Sequence, residues 1–182
     1  GQGFPAAGRE PGENVLEVQG LTTDRVQDVS FRVCAGEIVG FSGLMGAGRT
    51  ELARGLMGVD RRLAGSVMIA GVPVPANKPP AARNLGLGLV PEDRRADGVF
   101  AQLSVRENTS VAALEQFCIL GYVQEGLERR QVGWLVERLK VRTPDQEQEM
   151  AKLSGGNQQK ALLARWLLKE NLPEFLKVWI NL

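Results

Sequence analysis

Residues 43–50 read GLMGAGRT: a glycine, four residues, a glycine, a cation and then a hydroxyl. The run before them, Glu37-Ile-Val-Gly-Phe-Ser42, is near-continuously apolar from Ile38 to Phe41 and predicts a parallel strand covered on both faces. Strand, loop and helix with that spacing form the pattern of a phosphate-binding loop. Gly43, Gly46 and Gly48 let the backbone turn sharply and aim its N–H groups inward, with Ala47 between them. A helix starting near Arg49 adds its positive N-terminal end to such an anion cradle. Thr50 stands where the loop's last hydroxyl is offered to Mg²⁺. The cation is Arg49, where such loops carry lysine. Lysine delivers a compact point charge, whereas guanidinium is a planar and bulkier fork. Binding survives that exchange more readily than the geometry for phosphoryl transfer does. On these eight residues alone, a glycine-rich strand-to-helix turn without a ligand remains an open alternative.

The chain around this loop alternates strand and helix patterns. Val15–Val18 and Val29–Val33 read as short strands, and Leu52, Ala53, Leu56 and Met57 recur at helical spacing before a stop at Gly58. Ser66–Ala70 with Gly71 reads as strand and turn, 79–84 as a short helix and 87–90 as another strand. The middle changes character. A helix over 104–114 opens with Ser104 and Glu107 in capping-box spacing. A second, over roughly 123–140, carries the apolar stripe Val132, Leu135, Val136 and Leu139 and is broken by Thr143-Pro144. The expectation is an α/β frame with a mainly helical insertion at about 93–152. The first fourteen residues, GQGFPAAGREPGEN, read as a linker rather than as part of the fold.

A second stretch narrows the class. Leu153–Lys160 reads LSGGNQQK and precedes the helical run 161–168. Ser154 is placed to cap that helix, and Gly155 and Gly156 permit close approach of backbone N–H groups to a phosphate. Alone, this is also a plain capped helix after a glycine turn. Downstream of a phosphate loop it reads as a second helix start facing phosphate.

The pairing closely resembles the ATP-binding cassette (ABC) ATPases, whose signature is Leu-Ser-Gly-Gly-Gln or a near variant. GLMGAGRTEL (43–52), VPEDRRADG (90–98), LSVREN (103–108) and LSGGNQQKALLARWL (153–167) are similar to the C-terminal cassette of ribose, xylose and galactose importers in bacteria. The resemblance runs from Val15 to Leu168. It implies a P-loop NTPase fold of the ABC type, with an antiparallel β edge and a helical subdomain. It implies ATP and Mg²⁺ as cofactors, and Gly43 to Thr50 as the phosphate loop. Ser154, Gly155, Gly156, Asn157 and Gln158 would be the signature, completing the ATP site of a second cassette paired head to tail. Glu92 falls where most cassettes have a glutamine that touches Mg²⁺ and the attacking water, which makes it the candidate catalytic and metal residue beside Thr50. The adenine-stacking aromatic expected near Leu21–Val26 is absent. The implied partners are sugar permease subunits, docking on the residues after Glu92, and indirectly a periplasmic sugar-binding protein. The implied place is the cytoplasmic face of the cell membrane.

The end departs from the family. After LLKEN the family continues with an apolar strand, a magnesium-binding aspartate and a catalytic glutamate; here the sequence reads LPEFLKVWINL over 172–182. Glu174 precedes the apolar run and is not assigned. Residues 15–182 are therefore expected to form a cassette incomplete at its C-terminus, inactive in hydrolysis alone. Two alternatives follow: a non-catalytic regulatory or interaction fragment retaining the cassette fold, or another P-loop enzyme such as a small-molecule kinase.

Composition sets the outer bounds. Among 182 residues the charges nearly cancel at +1, leaving no basic footprint for nucleic acid. Cys34 and Cys118 lack metal-ligand spacing and fit a reducing compartment. With no histidine in the chain, histidine acid–base and metal chemistry is excluded from it. No apolar run reaches the ~18 residues of a membrane span.

Overall fold

The computed structural model describes residues 12–44, 46–91, 93–168 and 178–181, with the side chains of Arg95 and 178–181 excepted. They sort into two compact units, divided between Leu89 and Val90, with 178–180 belonging to the first.

In the first unit β1 (Asn14–Thr22) pairs antiparallel with β2 (Val29–Cys34). Helix α1 spans Arg49–Met57, and β3 (Ala64–Ile69) then pairs antiparallel with the other edge of β1. A tight turn at Gly71 leads to β4 (Val72–Pro73), giving the sheet order β2-β1-β3-β4. The registers Leu16↔Ile69 and Val18↔Val67 put apolar side chains opposite one another. Together with Leu21, Leu52, Leu56, Met57 and Leu87 they form one core, each fully buried side chain contributing about 1.5–3 kcal/mol. Gly65 is obligatory here. It has φ +85°, and a Cβ would stand 2.4 Å from the carbonyl carbon of Gly20 on β1. Helix α2 (Pro79–Asn84) and strand β5 (Leu87–Val90) complete this part of the chain, at the positions expected from sequence.

The second unit is helical. Helix α3 (Val105–Ser110) begins with the full capping box: the Ser104 hydroxyl accepts from the Glu107 N–H at 3.1 Å, and the Glu107 carboxylate accepts from the Ser104 N–H at 2.8 Å. The helix expected through Leu114 tightens to 3₁₀ from Val111, where the Ser110 hydroxyl is drawn to Glu128. Strands β6 (Cys118–Ile119) and β7 (Tyr122–Val123) follow as a hairpin turning on Leu120-Gly121, both at positive φ. That pairing delays α4, expected from about Val123, to Glu125–Arg138. Helix α5 spans Gly155–Leu167. Val132 and Leu135 of α4 pack with Phe117, Ala164 and Leu168; Val105, Met150, Leu153 and Ala161 form a neighbouring cluster. Buried Glu128 of α4 binds Arg106 of α3, which also pairs with Glu147 at 2.8 Å. Hydrogen bonding to Glu147 is the main force holding the Arg106 guanidinium charged. Last, β8 (Val178–Asn181) pairs with β5.

One expectation fails. Residues 38–41 are neither strand nor buried, and Ile38 is 97% exposed. Its composition predicts a covered parallel strand, but such a strand exists only where neighbours supply its ladder and both its covering layers. Among the described residues no strand pairs with it. Phe41 finds partial cover edge-on against Phe31, with ring centroids 4.9 Å apart.

Candidate functional site

The glycine loop closes on itself before it enters α1. The Ala47 N–H donates to the Leu44 carbonyl at 3.0 Å, and a Cβ on Gly43 would stand 2.8 Å from that of Ala47. Gly46 and Gly48 lie in the left-handed region at φ +83° and +80°, and Gly48 is the N-cap of α1. Among the described residues no side chain caps this helix. Leu52, Ala53, Leu56 and Met57 anchor the other face in the core, which fixes the loop's backbone while Arg49 stays exposed and Thr50 half-buried. Met45 and Glu92 lie outside the described residues, so the loop's third position and the candidate catalytic residue carry no geometry.

A neighbouring turn completes the mouth of this loop. The Thr23 hydroxyl accepts from the N–H groups of Arg25 and Val26 at 3.2 and 3.1 Å. The turn packs beside Gly48, and the Arg25 guanidinium lies 3.6 Å from Glu51 in the first turn of α1. Where the resemblance leads one to expect an aromatic, this turn carries the cation Arg25.

In the second unit, Ser154 is the N-cap of α5 by position, but its hydroxyl does not bond a helix N–H. It accepts instead from the Asn157 amide at 3.0 Å, while the Asn157 oxygen accepts from the Arg142 N–H at 2.9 Å. The hydroxyl thus takes a side-chain donor in place of the expected helix N–H. Gln158 turns inward and donates to the Met150 carbonyl at 3.0 Å. Gly155 lies against the Arg94 guanidinium: a Cβ there would stand 2.3 Å from one Nη, so Arg94 would have to move aside. Arg94 therefore brings a positive charge beside a helix N-terminus, where a cation alone loses energy and an anion gains it. Its Nε is buried without a hydrogen-bond partner. The sequence places Arg94 within the VPEDRRADG motif but not beside the start of α5, because that position depends on contacts distant along the chain.

Each motif fits phosphate, the first by its closed glycine loop and uncapped helix start, the second by its uncapped start beside a cation. No cluster of three or more His, Cys, Asp or Glu stands ready for a metal among the described residues. Magnesium here would rest on the Thr50 hydroxyl and on oxygens brought by the nucleotide and water.

Comparison with known proteins gives the family and the fold. The family model described as ABC transporter matches residues 26–172. The ribose import ATP-binding protein RbsA 1 of Rubrobacter xylanophilus is 49% identical over 168 residues, covering 91% of this chain and 34% of the relative. The arabinose import ATP-binding protein AraG of Rhizobium etli is 44% identical over 165 residues, covering 90% and 33% respectively. The chain thus spans about a third of the length of the curated relatives it matches. Among solved structures, an ATP-binding cassette of an ABC transporter superposes with a TM-score of 0.70 at 17% identity, over 86% of this chain and 66% of that one. A dimeric cassette in a post-hydrolysis state with ADP and phosphate superposes at 0.68 and 17% identity, over 85% and 69%. Fold, motifs and relatives converge: a P-loop nucleotide-binding cassette architecture, in a chain that belongs to the ABC transporter family.

Proposed function

We propose that this chain is one cassette of an ATPase that drives sugar import through a membrane permease. The closed glycine loop leading into the uncapped start of α1 is the observation that carries the reading. The names of the ribose and arabinose relatives support the cargo class. When bound, ATP supplies the phosphoryl group and magnesium neutralises charge on its phosphates. The chain's own contribution has two parts. Gly43, Gly46 and Gly48 present backbone N–H groups, with Ala47 closing the loop, and Arg49 adds a guanidinium and Thr50 a hydroxyl, forming a site that binds nucleotide but hydrolyses it weakly or not at all. Ser154, Gly155 and Gly156 at the start of α5, with Asn157 and Gln158 holding that turn in place, complete the ATP site of a second cassette paired head to tail. There their N–H groups stabilise charge that develops on the γ-phosphate. Glu92, a carboxylate where glutamine is usual, is proposed to face magnesium and the attacking water.

No helix of the described residues is long and apolar enough to cross a membrane. Attachment to the cytoplasmic face then runs through permease loops, proposed to dock on the residues after Glu92 in the helical part at about 93–152. A periplasmic binding protein delivers the sugar on the far side. Residues 1–14 are read as the tether to the first cassette. Titration calorimetry of ATP with magnesium into the purified chain tests the core of this proposal. Weak, magnesium-dependent binding is expected, because no aromatic near Leu21–Val26 stacks on the base. Absence of heat even at millimolar ATP would favour the regulatory fragment instead.

A further inference from the structure

Arg165 sits near the far end of α5 from the signature glycines, and its guanidinium is spent entirely on other segments of the second unit. Its Nε donates to the Asn108 carbonyl at 2.7 Å, one Nη to the Gly98 carbonyl at 2.9 Å and the other to the Asn108 side-chain oxygen at 3.2 Å. The group also lies 5.6 Å from the Phe100 ring centroid. All of these acceptors are neutral. Burial lowers the Arg165 pKa to about 10, still charged near neutrality. Holding a cation there without a carboxylate costs more than an apolar residue of equal volume would. Packing alone does not explain it.

Asn108 is fully buried and organises the loop that Arg165 grips. Its amide donates to the carbonyls of Phe100, Leu103 and Ser104, and its oxygen accepts from the Phe100 N–H at 2.9 Å. The turn 94–98, which follows Glu92, is laid against α5 in the same way. Arg94 reaches Gly155 at the helix start, a Cβ on Gly98 would stand 2.9 Å from Leu162, and Arg165 takes the Gly98 carbonyl. The turn thus meets the helix at its first residue and again in its last turns.

We propose that Arg165 is a positioning residue that fastens the turn 94–98 and the Asn108 loop to α5, so that the turn and the start of α5 move as one body. Any displacement of the segment next to Glu92 then reaches Ser154–Gly156 directly, setting how those N–H groups face a phosphate. This rests on the reading of the α5 start as nucleotide-facing. A guanidinium spans two carbonyls in fixed geometry; an ammonium does not, so lysine fails as a replacement.

Hydrogen exchange of the nucleotide-free full chain is the primary test, comparing Arg165→Met with Val132→Ala at conditions of equal thermal stability. Val132 lies in the same core but makes no polar link to the turn. Arg165→Met should speed exchange in both 94–100 and 154–158, and Val132→Ala in neither beyond its overall loss of stability. In the assembled importer, Arg165→Met should lower kcat about tenfold or more with KM for ATP nearly unchanged, as misplacement of a positioned group does. Phe100→Leu, a milder change that keeps the side chain apolar, should shift both readouts in the same direction if Arg165→Met does not fold. Exchange that rises only around Arg165 itself, or a kcat no lower than that of Val132→Ala, overturns the proposal. A Ser154→Arg importer that retains full turnover overturns the nucleotide-facing reading beneath it, and with it this role.

Discussion

Gly43 and Ala47 approach so closely that the phosphate loop tolerates no side chain at its first position. Gly43→Ala must open the loop by several tenths of an ångström or shift the start of α1. We expect magnesium–ATP affinity to fall about tenfold, equivalent to ~1.4 kcal/mol, with little change in melting temperature because position 43 is exposed. Calorimetry beside a thermal melt checks this; unchanged affinity would mean that the loop does not cradle phosphate. These positions are legible in sequence because the demand is local: Gly43 meets Ala47 four residues on, Gly46 and Gly48 take positive φ, and the three glycines leave a fixed spacing. Arg94 and Arg165 are invisible by the same standard. Their neighbours, Gly155 for one and Gly98 and Asn108 for the other, lie far along the chain, and only the folded unit brings them together.

At the scale of elements, the α3 cap links legibility to pH. Backbone and side-chain hydrogen bonds from Ser104 hold the Glu107 carboxyl below its ordinary value. A depressed carboxylate adds stability that is fully present above its unfolded pKa, about 4.3, and is lost as pH falls through the lower folded value. Glutamine at this position can still close the box but cannot titrate. Glu107→Gln should therefore be slightly less stable than the parent at neutral pH, with the gap closing below about pH 4. Melting curves from pH 3 to 7 measure it, and a gap that persists at low pH would remove the carboxylate from the account. The Ser104 box was readable because its two partners are three residues apart. The run 38–41 departs from what its composition predicts because a covered strand is defined by its neighbours, which the run itself does not encode. The 118–123 hairpin escaped notice for a related reason. Each strand is only two residues long, and its turn places Leu120 at positive φ, a position more often marked by asparagine or aspartate.

At the scale of the whole molecule, the two motifs carry unequal burdens. The phosphate loop of one unit bears Arg49 and lacks a stacking aromatic; the start of α5 in the other keeps Ser-Gly-Gly and gains Arg94 beside it. On the proposed reading, in which cassettes pair head to tail and the Arg49 site hydrolyses weakly or not at all, a change at Arg49 harms the poorer site, whereas a change at Ser154 harms the competent site of the partner. Ser154→Arg adds bulk and a second cation at a helix start that already holds one, against the favourable direction of the helix dipole. It also breaks the Asn157–Ser154 hydrogen bond that ties the turn to Arg142. Arg49→Ala removes one exposed cation and leaves the glycine backbone intact. In vesicles containing the whole importer, Ser154→Arg should abolish sugar uptake, and Arg49→Ala should leave a substantial fraction, on the order of half or more given that exposed substitutions usually cost little. Measuring ATP turnover in the same vesicles separates coupling from chemistry, since a loss confined to uptake would place Ser154 in transmission to the permease. Equal loss of both activities from the two substitutions would make the sites equivalent, and the asymmetry between Arg49 and Ser154 would have to be abandoned.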